Sequence, residues 1–370
     1  MAFIVLFAIP VLLGAVGFIF SKAITWKEFL IQVAAQAVVA SISVGVVYWD
    51  NTDDTEILNG TVTSKEQESV RCSHSYDCNC RNVPRYCTDK KGHRSRCGTR
   101  RKCDTCYEHT NDWNWDVNSS VGSFTISRID RRGSSEPPRW SAVRIGDPVS
   151  VTHSYTNYIK ASPGSVFRHS GIAEKYTKFI PEYPKAIHDY YRLNRVVLVN
   201  GAQVPDSGAW NTSLSELNGK LGAARQVNMV VVIAKNLPDE FYYALEESWI
   251  GGKKNDAVLV IGVGSDLRPQ WATVMAWSVN KLFEVKLRDD IMDLPTLTKD
   301  GVINALDRNV SGYYKRKPMA DFEYLAAAIT PSTTQWVVTL ILGLMVAIGL
   351  VWLMHHHDVF DEEHPRKRPF

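Results

Sequence analysis

The run FLIQVAAQAVVASISVGVVYW, Phe29–Trp49, decides how the rest of the chain is read. It holds no Asp, Glu, Lys or Arg, and it matches the ~20 helical residues that cross a bilayer core. Two other runs share its character: Phe3–Phe20 before it and Trp336–Met354 near the opposite end. Between Asp50 and Gln335 the composition is that of a soluble body. The spacing therefore predicts three transmembrane helices, with a helical hairpin over 1–49 and a last span over 335–354. Met1-Ala2-Phe3 carries no positive charge and a second long span follows at once, so a retained hairpin fits better than a cleaved signal peptide.

The second span is not uniformly apolar. Gln32 and Gln36 stand four apart, hence on one helix face, and Ala37, Ala40, Ser41, Ser43 and Gly45 are small. Amides in hydrocarbon need partners, and small residues let helices approach closely. That face fits packing against the other spans of the chain or self-association into an oligomer. No ionisable group lies inside any run, which argues against a proton or ion path.

Lys and Arg beside the spans set orientation. Lys22 and Lys27 lie in the turn between the first two runs, and Arg366, Lys367 and Arg368 in the tail. The body opens instead with Asp50, Asp53, Asp54 and Glu56, although Lys315-Arg316-Lys317 stands against this pattern. The reading puts the turn and a tail over 355–370 in the cytoplasm. The body then lies outside it, as a periplasmic domain on a bacterial inner membrane. At 370 residues and 45% hydrophobic the chain can bury a real core. Its net charge of +3 is too small to argue for nucleic acid.

All seven cysteines fall between residues 72 and 106: Cys72, Cys78, Cys80, Cys87, Cys97, Cys103 and Cys106. The same segment is rich in Arg and Lys and almost lacks aliphatic residues, so apolar burial cannot hold it. In an oxidising compartment disulfides would staple it, with one cysteine left over. In a reducing one, Cys78-x-Cys80 and Cys103-x-x-Cys106, with His109 nearby, would suit Zn²⁺. The basic side chains could meet anionic lipid or another polyanion; a solvated, stapled loop is the simpler reading.

Around this block, residues 50–170 read as a β-rich subdomain with the basic stretch 72–106 inserted. Trp113–Val117 and Phe124–Ile129 alternate, and Gly122, Gly133, Pro137-Pro138, Gly146 and Pro148 punctuate. Over 171–330 strands and helices alternate. Arg195–Val199, Val227–Ala234, Ala257–Val263 and Trp271–Trp277 read as strands. Ser213-Leu214-Ser215-Glu216 reads as a capping box for a helix ending at Gly222, and Asp239 as the cap of Glu240–Trp249. Further helices are expected over Val279–Asp293 and Lys299–Tyr313. That order predicts a sheet covered by helices, in a membrane-anchored α+β protein.

The strand Val227–Ala234 and the string Trp249-Ile250-Gly251-Gly252-Lys253-Lys254-Asn255-Asp256-Ala257 resemble the core of the TPM domain family, over residues 204–314. Ala257 replaces the family's usual Gly, and Trp271–Trp277 its Arg-rich strand. The whole arrangement also resembles uncharacterised membrane proteins of tailed phages and bacteria. The TPM resemblance implies a three-layer α/β module, membrane-tethered and outside the cytoplasm, acting as a phosphatase or as a binding or assembly factor.

Ligands of open α/β sheets sit beyond the carboxyl ends of parallel strands. There Asp206, Asp239 and Asp266 would converge, and Asp256 matches the family's acidic position; hard oxygens of this kind suit Ca²⁺ or Mg²⁺. Each Asp is equally ordinary as a cap or turn residue. No Walker loop, nucleophile elbow, zincin helix or dinucleotide fingerprint occurs. The sequence thus supports an envelope scaffold or binding protein, oligomeric and able to meet other envelope proteins. A metal-dependent phosphatase is the alternative.

Overall fold

The computed structural model describes residues 12, 26–88, 92, 94–162, 164, 171–184 and 194–357. The first apolar run, Leu12 apart, and the tail beyond His357 lie outside these residues. Two helices among those described are long and apolar enough to cross a membrane.

The first, α1, is Trp26–Thr52. Its buried face is Gln32, Gln36, Ala40, Ser43 and Val47, a spacing of four, four, three and four that keeps one side of a helix in register. That face meets the C-terminal apolar helix, Thr333–His357, where Gln36 Nε2 donates to the Gly343 carbonyl at 2.9 Å. The Gln/small face thus packs within the chain. The opposite faces leave Val38, Ile42, Val46, Leu344 and Ile348 exposed, the surface that lipid would cover. Where the pair meets the body, Gln335 Nε2 donates to Asp50 Oδ2 at 2.7 Å and Asn51 Nδ2 to Gln335 Oε1 at 3.2 Å.

Helix α1 runs directly into β1, Asp53–Arg71. This strand is the spine of an antiparallel sheet. Its first half pairs with β6 and its second with β4, giving the order β5-β4-β1-β6. The partners are β4 (Asn111–Ser119), β5 (Gly122–Ile126) and β6 (Pro148–Thr156). Sequence periodicity does not reveal β1, because DDTEILNGTVTSKEQESVR is polar and carries no alternation. Its buried polar groups are satisfied by the neighbouring module instead of by an apolar core.

Between β1 and β4 the chain leaves as a hairpin of β2 (Ser75–Thr88) and β3 (Arg94–Tyr107), the expected insertion. Nearly every residue of it is exposed. Cys78–Cys106, Cys80–Cys103 and Cys87–Cys97 stand at disulfide distance, nested across the two strands. Cys72 is the unpaired, buried seventh. The staples and the backbone ladder replace the core that this hairpin lacks.

The second module holds β7 (Val196–Val199), β8 (Asn228–Lys235), β9 (Asp256–Val263) and β10 (Pro269–Ala276), in the order β10-β9-β8-β7. The first three are parallel and β10 is antiparallel to β9. Both faces are buried, as the continuous apolar runs require. Met229, Val231, Ile233, Leu259 and Ile261 face helices Ser207–Arg225, Leu282–Met292 and Lys299–Tyr313. Val230, Val232, Val258 and Val260 face Glu240–Ser248, through Phe241, Ala244 and Leu245. The result is three layers, helix on sheet on helix.

Helix Ser207–Arg225 departs from the expected boundaries. It starts at Ser207, capped by Asp206 Oδ1, which accepts from the Ala209 amide at 3.0 Å, and it runs through Gly222. Glycine normally weakens a helix interior, but here the helix lies directly on the first sheet. A Cβ on Gly222 would stand 2.5 Å from the Asn59 backbone, and one on Gly219 3.1 Å from the Gly60 carbonyl. Close approach of two backbones explains both glycines, and the seam they create joins the two modules.

Candidate functional site

The seam is polar and buried. Asn59 on β1 donates through Nδ2 to Asn228 Oδ1 at 3.0 Å and to the Val227 carbonyl at 3.2 Å, and Ser150 donates to Asn59 Oδ1 at 2.5 Å. Asn228 Nδ2 in turn donates to Asp256 Oδ1 at 2.8 Å. Beside it Glu56, buried on β1, pairs with Arg316 at 2.8 Å, Lys254 at 3.2 Å and His153 at 3.2 Å. Asp54 pairs with Lys253 at 2.5 Å. Burial opposes ionisation of Asp54, but the Lys253 ammonium and the Asn157 amide outweigh it and hold its pKa below the ordinary carboxylate value. Burial pushes the Lys254 pKa down, against the pull of Glu56. These are paired charges between two bodies, and they hold the modules together.

The four predicted acidic candidates are not brought together as a cluster. Asp256 begins β9, at the opposite end of the strands from the loops that carry Asp206, Asp239 and Asp266. It is wholly buried and accepts from Tyr183 at 2.8 Å and from the Lys253 amide at 2.7 Å; burial raises its pKa. The Trp-Gly-Gly-Lys string is the turn that wraps this carboxylate, with Ile250, Gly251 and Gly252 all at positive φ. Arg195 is buried within electrostatic reach of Asp256 and Tyr183; among the described residues its Nε and Nη2 have no hydrogen-bond partner.

At the carboxyl ends of the parallel strands a hollow does form, lined by Gln203, Pro205, Lys235, Gly264 and Ser265. Among the described residues no carboxylate lines it. Asp206 is occupied as a helix cap, and Asp266 Oδ1 accepts from the Arg268 amide at 3.2 Å. Asp239 sits at the cap position of its helix without a side-chain cap bond.

A different set of residues does converge, at the root of the hairpin. Cys72 and His74 lie on the connection from β1 to β2, and His109 and Asp112 on the return from β3 into β4. Cys72 Sγ is 3.8 Å from His74 Nδ1 and 3.8 Å from His109 Nδ1. His74 Nδ1 is 3.2 Å from Asp112 Oδ2, and His109 Nδ1 is 3.4 Å from Asp112 Oδ1. One donor atom from each residue lies within 4.8 Å of all the others, and among the described residues this is the one such group that could hold a metal ion. Cys72 and Asp112 are buried, while the two imidazoles are partly open.

Behind the cluster Arg128 donates to Asp112 Oδ2 at 3.1 Å and to Asn114 Oδ1 at 2.7 Å. Burial works against ionisation of Asp112, but the Cys72 thiol, the Ser73 amide and Arg128 outweigh it and hold its pKa below the usual carboxylate range. The zinc spacing in the sequence groups His109 with Cys103 and Cys106, which stand at disulfide distance from Cys80 and Cys78. The signal it missed is a pair of short couples, Cys72-x-His74 and His109-x-x-Asp112, one at each foot of the inserted hairpin.

No protein-family model, curated protein or solved structure matches this chain.

Proposed function

We propose that the chain is a membrane-anchored scaffold or binding protein of the cell envelope, with its body outside the cytoplasm and the stapled hairpin as its binding element. The observation that carries this reading is the hairpin itself. Arg81, Arg85, Arg94, Arg96, Arg100, Arg101 and Lys102 stand exposed on a two-stranded ribbon that buries no core of its own. Paired cysteines serve such a ribbon in an oxidising compartment, and an array of exposed guanidinium groups suits an anionic partner. The two apolar helices, side by side, would hold this body at a fixed distance from the bilayer. Self-association through lipid-facing surfaces and contact with other envelope proteins belong to the same proposal. The phosphatase reading rests on the TPM resemblance alone, and no arrangement among the described acidic residues favours it.

Purified full chain in detergent provides the test. The scaffold reading predicts no hydrolysis of a generic phosphomonoester with Ca²⁺ or Mg²⁺ present. It also predicts retention on anionic but not zwitterionic vesicles, lost when the hairpin arginines are replaced by Gln. Turnover abolished by Asp266→Ala, or vesicle retention indifferent to the arginines, would contradict it.

A further inference from the structure

The geometry points to a zinc site formed by Cys72, His74, His109 and Asp112, which fixes the stapled hairpin to the body. Nothing in the proposed scaffold role requires it, so the two stand or fall separately.

Distances carry the first part of the argument. Tetrahedral zinc with a Zn–S bond of about 2.3 Å and Zn–N or Zn–O bonds of about 2.0–2.1 Å sets S···N edges of about 3.6 Å and N···O edges of about 3.3 Å. The observed edges are 3.8 and 3.8 Å for sulfur to the two imidazole nitrogens. They are 3.2 and 3.4 Å for the imidazole nitrogens to the carboxylate oxygens. The two imidazoles approach different oxygens of Asp112, and one donor atom from each of the four residues lies within 4.8 Å of the others, a set that one ion could gather with small side-chain shifts.

Hydrogen bonding leaves one oxygen of the cluster unmatched among the described residues. Asp112 is completely buried, and among the described residues its Oδ1 accepts no hydrogen bond; its close polar neighbour is His109 Nδ1 at 3.4 Å. A buried acceptor left unpaired is costly, so an orphaned oxygen of this kind calls for an explanation. Both imidazoles present Nδ1, and the sulfur lies equidistant from the two. In the tautomer that leaves both Nδ1 atoms unprotonated, their lone pairs face the same space as the sulfur and the carboxylate. A cation in that space satisfies all four. Thiolate, carboxylate and two neutral imidazoles also balance the ion's charge, and Arg128 holds the carboxylate from behind, as an outer-sphere partner does.

Placement gives the site its role. The ligands come in two couples from the two chain segments that join hairpin to sheet. Four protein ligands make a closed, structural site. Metal at this point would lock the angle at which the ribbon leaves β1 and β4. It would also shield the one unpaired thiol in a body whose other cysteines are paired.

The test uses the full chain in detergent without reductant, stripped by chelation and reloaded with ZnCl₂ or CoCl₂. One zinc per chain is expected by elemental analysis. Cobalt should give a thiolate charge-transfer band, lost in Cys72→Ser. Cys72→Ser and His109→Ala should each weaken zinc binding at least about tenfold, while the six hairpin cysteines stay oxidised. His109 is 27% exposed, so its variant should fold even where a substitution at buried Asp112 does not. Chelation should raise deuterium exchange at 72–75 and 108–111 and leave the second sheet unchanged. Folded wild type that takes up no zinc, zinc held equally by both variants, or exchange at the root indifferent to chelation would overturn the inference.

Discussion

At the scale of single residues, the seam between the modules depends on atoms that fit in only one way. Gly222 is the tightest case, because any side chain would enter the Asn59 backbone. Gly222→Ala should lower stability by about 1–3 kcal/mol, the usual cost of overpacking, read as thermal unfolding in detergent. A second prediction concerns acid. Asp54 has a folded-state pKa below its ordinary value of 3.8, so its pairing with Lys253 contributes stability that is complete above that value. This contribution is lost as pH falls through the lower, folded-state pKa. Lys253→Met should therefore reduce the acid sensitivity of unfolding below pH about 4. An acid limb unchanged by the substitution would show that the pair does not act as described. Asp256 serves structure too: Asp256→Ala strands Asn228 and Tyr183 and should cost about 1–3 kcal/mol without any change in divalent-cation binding.

At the scale of elements, the hairpin and the two sheets stand on different physical supports. Reduction should release the hairpin and leave the sheets folded. Proteolysis with trypsin in reductant should then cut among Arg81–Lys102 well before it cuts the second module. Simultaneous loss of both would mean that the ribbon is part of a common core. The contrast also explains what the sequence could say. Val227–Ala234 and Ala257–Val263 are legible because both faces of that sheet are buried, so the strands are apolar without interruption. The cysteine block is legible as an insertion because it lacks any material for a core. Strand β1 is not, since its buried Glu56 and Asn59 are satisfied by Arg316, Lys254 and Asn228, residues more than a hundred positions away. The same long-range closure hides the root cluster. Cys72 and His74 acquire meaning only when β1 and β4 pair and bring His109 and Asp112 beside them.

At the scale of the whole molecule, a two-sheet body stands on a pair of apolar helices, and we propose that its basic ribbon is displayed away from the cytoplasm. Packing of the pair is specified by Gln36 and the small residues around it. Gln36→Leu should loosen that contact without dislodging the chain from the bilayer, seen as lower melting temperature with unchanged retention after alkaline carbonate extraction. The side of the membrane is the central claim, and thiol chemistry tests it most directly. Intact cells are treated with a membrane-impermeant maleimide reagent, with and without a membrane-impermeant reductant. The account predicts that the six hairpin cysteines stay unlabelled until reductant is added and then label without permeabilisation. Free, reactive hairpin thiols that label only after the membrane is opened would contradict it.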